Sequence, residues 1–187
     1  GIKLSELSLG SWVNYVHQVD DRNVTEILDA AWNHGINFFD NAEVYANGGA
    51  ERMMGRVFKA LGWPREQYVV STKVFWGGKT VNEIGLSMKH IIEGVNRSLR
   101  NFDLEYVDLV LAHRPDPEVP IEEVVWGFNQ VLRQGKAFYW GTSEWPAESI
   151  IQAIEFARAE HLIPPVLEQT QYNILTRKRF EQEYDVL

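Results

Sequence analysis

Five polar residues stand where a short apolar stretch gives way to a loop. They are Asp40 after INFF, Lys73 after VVST, His113 after VDLVLA, Ser143 after FYWGT and Gln169 after VLE. Neighbouring parallel strands present their carboxyl ends on a single face, and in barrels built from such strands that face carries the chemistry. The five residues therefore predict one composite site.

Tyr45 follows Asp40 by five positions and adds a phenol to this set. Together with Lys73 and His113, these residues suit proton donation to a carbonyl that is receiving a hydride. A tyrosine with a pKa of about 10 is a poor acid at neutral pH, but a neighbouring ammonium stabilises the phenolate and eases proton release. The carboxylate would hold the lysine charged, and the histidine could hydrogen-bond the substrate oxygen. Since no side chain supplies a hydride, the chemistry requires a nicotinamide cofactor.

Each residue taken alone also has an ordinary structural explanation. Asp40 fits a helix cap or a turn, and Lys73 fits a solvated strand end. Tyr45 could pack with its hydroxyl in water, and His113 could be a hydrogen-bonded structural histidine. The coincidence of five polar strand ends favours the functional interpretation, because a buried site with these groups would perturb their pKa values.

The composition predicts a soluble, cytoplasmic enzyme. The 187 residues are 45% hydrophobic and 12% aromatic, which is enough for a sizeable core. The absence of cysteine excludes disulfides and thiol chemistry, and no apolar run reaches the roughly 20 residues of a membrane helix. A net charge of −8 argues against nucleic acid as a partner, because phosphate binding needs a basic face. No metal site is predicted, because His34, His90 and His161 lie on predicted helices without ligand spacing.

Strand candidates and amphipathic helices alternate along the chain. The strands are predicted near 7–10, 36–40, 68–73, 106–112, 137–141 and 166–170. The first helix has an apolar stripe with a capping box at Asn23 and Glu26. That stripe comprises Val24, Ile27, Leu28 and Ala31. Later helices are predicted from about Glu51, after Ser87, around Val124–Leu132, after Pro146 and from about Thr176.

This alternation indicates a parallel sheet with crossover helices, for which two architectures compete. A doubly wound sheet with a nicotinamide site would normally show a Gly-rich turn after its first strand, and none is present. The segment WGGKT at 76–80 resembles a phosphate loop, but Lys73 stands where the first glycine belongs. A (β/α)8 TIM barrel is therefore predicted. Eight units take about 250 residues, so residues 1–187 are expected to be a single barrel domain that lacks its last two units.

Six stretches of the chain carry a family resemblance. They are FFDNAEVYANGGAE, STKVFWGGK, GLSMKHIIEG, LEYVDLVLAHRPDP, FYWGTSEW and LIPPVLEQTQYN. These stretches resemble the aldo-keto reductase family, in the branch that contains voltage-gated potassium channel beta subunits and their plant and microbial relatives. The resemblance implies that Asp40, Tyr45, Lys73 and His113 form a catalytic tetrad with Tyr45 as general acid.

The resemblance also implies NADPH as the cofactor. The residues at the family's cofactor-contacting positions are Ser11, Trp12, Gln18, Asp40, Ser143, Glu144 and Gln169. Two functions of different class follow. One is an NADPH-dependent reductase of small aldehydes and ketones. The other is a channel-subunit-like regulatory module that binds NADPH as a redox sensor, with a homo-oligomer (a tetramer) and a membrane channel as the implied partners. His113 favours the enzyme, because mammalian channel subunits have asparagine at that position.

Overall fold

The computed structural model describes residues 1–12 and 15–187. Six parallel strands form one sheet in chain order, and helices alternate with them. The strands are β1 (Leu9–Gly10), β2 (Phe38–Asp40), β3 (Val69–Val74), β4 (Val107–Ala112), β5 (Ala137–Ser143) and β6 (Glu168–Gln169). The helices are α1 (Asp21–Asn33), α2 (Gly49–Leu61), α3 (Met88–Phe102), α4 (Ile121–Arg133), α5 (Ala147–Ala159) and α6 (Lys178–Glu181). This curled half-barrel confirms the predicted (β/α)8 architecture, of which the chain contains six units.

The strand register brings the carboxyl ends of the strands to one edge. Asp40 pairs with Ser71 across β2 and β3, two residues before Lys73. Lys73 in turn pairs with Leu111, two residues before His113. Because consecutive parallel strands are joined by crossovers, all these ends point the same way. The fold therefore gathers the polar strand ends onto one face.

The core lies between the sheet and the helices. All six residues of β3 and all six of β4 are buried, as expected for strands covered on both sides. Aromatic rings join the layers. Phe128 of α4 stacks on Trp140 of β5 with ring centres 4.9 Å apart. Across the described residues, no helix combines the length and apolar character that crossing a membrane requires.

The predicted start of α1 was wrong. The N-cap is Asp20, whose extended backbone lets its carboxylate accept the Asn23 N–H at 2.9 Å. Glu26 instead pairs with Arg22 on the solvent side, so it cannot complete a capping box. Ile27 was also assigned to the buried stripe but is 40% exposed.

The other helix starts divide between confirmed and corrected predictions. The Ser87 cap is confirmed, since its hydroxyl accepts the His90 N–H at 3.2 Å, and α5 does begin after Pro146. Helix α2 begins at Gly49, two residues before the predicted Glu51. The last helix starts at Lys178 rather than near Thr176, because the Asn173 side chain closes a turn there.

Gly55 marks the closest approach between α2 and α3. A Cβ added there would lie 2.2 Å from the carbonyl oxygen of Phe102, closer than real Cβ atoms come. Overpacking typically costs about 1–3 kcal/mol, and the roughly 1 kcal/mol that alanine gains over glycine in a helix offsets part of that cost. We therefore expect Gly55→Ala to lower the free energy of unfolding of the purified protein by up to about 2 kcal/mol.

Denaturant unfolding measures this effect, with Gly10→Ala as the control because a Cβ there meets nothing within 4 Å. A Gly55→Ala protein as stable as wild type would contradict the assigned helix contact.

Candidate active site

A buried ammonium lies at the centre of the polar face. Lys73 is 1% exposed. Its Nζ donates to Asp40 Oδ2 at 2.6 Å and to the carbonyl of Asn41 at 2.8 Å, and it lies 3.3 Å from the Tyr45 hydroxyl. A second hydrogen bond, from the Ser71 hydroxyl to Asp40 Oδ1 at 2.6 Å, fixes the carboxylate. Lys73 therefore lies between the carboxylate of Asp40 and the phenol of Tyr45, which is the arrangement expected from the sequence.

Local backbone conformation brings Tyr45 back over the sheet. Tyr45 begins a short 3-10 turn in which Ala46 and Asn47 have φ values of 49° and 51°. Left-handed backbone costs non-glycine residues on the order of 1 kcal/mol each, and persists only where surrounding contacts determine it. The turn ends at Gly48, whose φ of +76° leads directly into α2. This strained connection holds the phenol beside Lys73.

His113 occupies the other side of the phenol. Its backbone N–H donates to Val74 at 3.1 Å, which continues the β3–β4 ladder beyond the strand end. The imidazole is buried and meets the Tyr45 ring edge-on, with ring centres 5.9 Å apart. Trp76 packs on its other side at 5.0 Å. The structure thus brings Asp40, Tyr45, Lys73 and His113 together around one point.

The electrostatics of this group are dominated by burial. Burial lowers the pKa of Lys73, while the Asp40 charge and hydrogen bond oppose that shift. Burial lowers the pKa of His113 to about 3, assisted by the charges of Lys73 and Arg114. The imidazole is therefore neutral at physiological pH and can donate one hydrogen bond without carrying charge.

The expected lowering of the tyrosine pKa is not what the arrangement produces. Burial raises the pKa of Tyr45, the negative charge of Asp40 raises it further, and only Arg114 acts to lower it. The main physical reason is burial, because a phenolate loses its hydration there, and the nearby Asp40 carboxylate adds to the effect. Tyr45 therefore holds its proton firmly.

Of the first three cofactor-contacting candidates, Ser11 and Trp12 lie at the site and Gln18 lies elsewhere. The Ser11 hydroxyl donates to the Asp40 carbonyl at 3.2 Å. Trp12 is 66% exposed and stacks near Tyr45, with ring centres 6.4 Å apart. Gln18, in contrast, is exposed and lines a different cavity, between the start of α1 and α2, which none of the four central residues lines. The structure gathers Ser11 and Trp12 at the site but not Gln18.

The remaining cofactor-contacting candidates lie at the carboxyl ends of β5 and β6. Ser143 is buried at the end of β5, and it pairs with Gln169 in the sheet register. Glu144 takes a φ of 58° and donates its N–H to the Gln169 carbonyl at 3.2 Å. Its carboxylate accepts from Arg179 at 2.8 Å. These three residues form one edge of the polar face.

A cavity of about 660 Å³ opens among the loops that follow β1, β4, β5 and β6. Its lining residues are Trp12, Arg114, Pro115, Glu144, Gln171 and Arg179. The Trp12 ring, the Arg114 guanidinium and nearby amide and hydroxyl groups suit an anionic nucleotide with a flat ring, while Arg179 is paired with Glu144. The residues present therefore fit a nicotinamide cofactor.

Sequence reasoning missed a buried carboxylate that supports the site. Glu43 accepts the N–H of Phe75 at 2.7 Å and a guanidinium N–H of Arg97 at 3.0 Å. Gly77 packs so tightly over them that an added Cβ would lie 1.8 Å from Arg97. Trp76 lies between Phe75 and Gly77 in the chain. The contacts of these two residues with Glu43 and Arg97 therefore position the Trp76 ring against the imidazole of His113. The only sequence feature that could have indicated this close packing is the pair of glycines in WGGKT.

The shifted pKa of His113 predicts a pH-dependent stability difference. The folded value of about 3 lies below the ordinary 6.5, so the unfolded chain binds the proton more readily. The stabilisation is complete above pH 6.5 and is lost as the pH falls toward 3. His113→Asn removes this titration. We expect the stability of wild type minus that of the variant to fall on acidification, by at most about 1.4 kcal/mol per pH unit.

Denaturant unfolding of both proteins between pH 7.5 and pH 4 measures this difference. A difference that does not change with pH would show that His113 binds its proton equally well in both states.

Comparison with known proteins identifies the family of this chain. Residues 6–184 match the model of the aldo/keto reductase family. Two relatives bear the name "Probable voltage-gated potassium channel subunit beta". The Arabidopsis thaliana protein is 50% identical over 184 residues, which are 98% of this chain and 56% of the relative. The Oryza sativa protein is 49% identical over the same shares. The chain thus spans about half the length of the curated relatives that it matches, and it belongs to the aldo/keto reductase family.

Proposed function

We propose that this protein is an NADPH-dependent oxidoreductase that reduces aldehydes or ketones to alcohols, with Tyr45 as the general acid. The observation that carries the proposal is the Lys73 ammonium between Asp40 Oδ2 at 2.6 Å and the Tyr45 hydroxyl at 3.3 Å. Membership of a family whose members bind NAD(P)(H) supports an oxidoreductase. The assignment of NADPH, of the carbonyl substrate and of each residue's role is our inference.

The proposed mechanism gives each side chain one task. The substrate oxygen accepts hydrogen bonds from the Tyr45 hydroxyl and from the neutral His113 ring. A phenol with a raised pKa donates poorly to a carbonyl but readily to an alkoxide, so proton transfer follows the growth of negative charge on that oxygen. The nearby ammonium then stabilises the phenolate that remains. Asp40 keeps Lys73 charged and oriented.

A bound nicotinamide would supply the hydride that no side chain can provide. Ser143 and Gln169 would bind its carboxamide, and Ser11, Trp12, Asp40 and Glu144 would line its position. Gln18 stays a candidate contact for another part of the cofactor. We also propose that the six units belong to a single barrel domain, since the relatives are long enough to hold the remaining two.

A second candidate function is a regulatory module. Identity of about 50% to proteins named as potassium channel beta subunits favours it. In this function the bound NADPH would report the redox state to a membrane channel, and turnover would be incidental. A homo-oligomer, such as a tetramer, and a cytoplasmic location would accompany it. Both functions use the same cofactor, so turnover with a carbonyl substrate separates them.

The test is NADPH oxidation by the full-length protein with a small test aldehyde. We expect Tyr45→Phe to lower kcat by about 10²- to 10⁴-fold, the usual range for positioned acid catalysis. Cofactor affinity, measured by fluorescence titration, should change little because the phenol contributes little to it. An unchanged kcat in Tyr45→Phe would reject Tyr45 as the acid. Cofactor binding with negligible wild-type turnover on a panel of aldehydes and ketones would favour the regulatory module.

A further inference from the structure

Arg114, which directly follows His113, extends its guanidinium along the rim of the site. The group lies over the Trp76 ring, with Cζ 5.5 Å from the ring centre. One terminal nitrogen donates to the carbonyl of His113 and lies 3.5 Å from the Ser143 hydroxyl. The side chain is half-buried and lines the 660 Å³ cavity. Arg114 thus connects the substrate side of the site to the cavity.

Two carboxylates of the site already have a cationic partner. Asp40 pairs with Lys73 at 2.6 Å, and Glu144 pairs with Arg179 at 2.8 Å. Within residues 1–12 and 15–187, no carboxylate comes within 4.0 Å of the Arg114 guanidinium. The nearby Asp116 instead accepts backbone N–H groups from Leu86 and Glu118. In a chain of net charge −8, Arg114 is a local cation without a protein counter-ion.

The planar fork of the guanidinium matches a carboxylate or phosphate, and no carboxylate of the described residues occupies it here. Its carbonyl and Trp76 contacts hold the group in place, which reduces the entropy lost on binding a partner. The Trp76 ring also covers one face of the guanidinium and shields it from water. A ligand oxyanion at this rim would complete the charge pairing.

We propose that Arg114 selects carbonyl substrates that carry an oxyanion, a carboxylate or a phosphate, on the part of the molecule that points away from the reacting carbonyl. The proposal rests on the proposed reductase function and names its substrate class. Tyr45 and His113 hold the carbonyl oxygen, while Arg114 holds the anionic end against Trp76. The cofactor's own phosphates are the other source of oxyanions, and the experiment separates the two sources.

The experiment uses the full-length protein with NADPH and two matched aldehydes, 4-carboxybenzaldehyde and its uncharged analogue methyl 4-formylbenzoate. We expect wild type to prefer the carboxylate in kcat/KM by about 10- to 100-fold, chiefly through KM, as a charged hydrogen bond of the usual strength provides. Arg114→Gln should abolish this preference. Arg114→Lys should retain part of it, because lysine keeps the charge but loses the fork.

The ratio between the two substrates is the decisive readout, since loss of a charge near Tyr45 affects both aldehydes alike. Arg22→Gln, which removes a guanidinium that is 86% exposed on α1, is the matched control and should keep the wild-type ratio. Whether Arg114 instead binds the phosphates of the cofactor is tested separately, by measuring the NADPH affinity of each variant by titration.

Three outcomes would overturn the proposal. A wild-type protein that reduces both aldehydes equally well refutes the substrate class but leaves the reductase function standing. An Arg114→Gln protein with weakened NADPH binding and an unchanged ratio assigns the guanidinium to the cofactor. A wild-type protein that binds NADPH and reduces neither aldehyde removes the reductase function, and this inference fails with it.

Discussion

The candidate site depends on one buried ion pair, Lys73 with Asp40. Removing an ammonium from water costs several kcal/mol, so hydrogen bonds and a counter-charge must offset that cost. The Asp40 carboxylate at 2.6 Å and the Asn41 carbonyl at 2.8 Å provide these interactions. Both acceptors come from the end of β2, which therefore has to lie directly beside β3. Parallel pairing in register thus brings both acceptors to the lysine nitrogen.

The same pair limits what the neighbouring groups can do. Because burial and the Asp40 charge raise the pKa of Tyr45, the phenol keeps its proton until negative charge develops on the bound oxygen. His113 stays neutral for a related reason, since it is buried next to two cations. The site therefore presents the Tyr45 hydroxyl as a proton donor at neutral pH. Such an arrangement is suited to reduction of a carbonyl.

The sequence predicted those features that local pattern determines. Apolar stretches ending in Asp40, Lys73 and His113 located the polar face, because parallel strands in sequence order must align their ends. The alternation of strands and helices likewise determined the architecture. Each of these inferences needed only neighbouring residues and the chirality of crossovers.

Features that depend on distant contacts escaped prediction. The direction of the Tyr45 pKa shift depends first on how deeply the phenol is buried and then on its distance from Asp40, and neither can be read from the local sequence. Glu43 supports the loop of Trp76 through Arg97, 54 positions away, and no local pattern links them. Arg114 lies in the stretch RPDP, and only its contacts with Trp76, His113 and Ser143 in the folded protein make it distinctive.

The central claim, that Lys73 and Asp40 act as one unit on Tyr45, is tested most directly by a double-mutant cycle on kcat/KM of the full-length protein. The variants are Lys73→Met, Asp40→Asn and the two combined, each checked for folding by thermal unfolding. With NADPH saturating, so that cofactor contacts of Asp40 do not limit the rate, the account predicts that the double variant is about as impaired as Lys73→Met alone. The reason is that the effect of the carboxylate on Tyr45 passes through the lysine. Losses that multiply in the double variant would show that the two residues act independently and would contradict it.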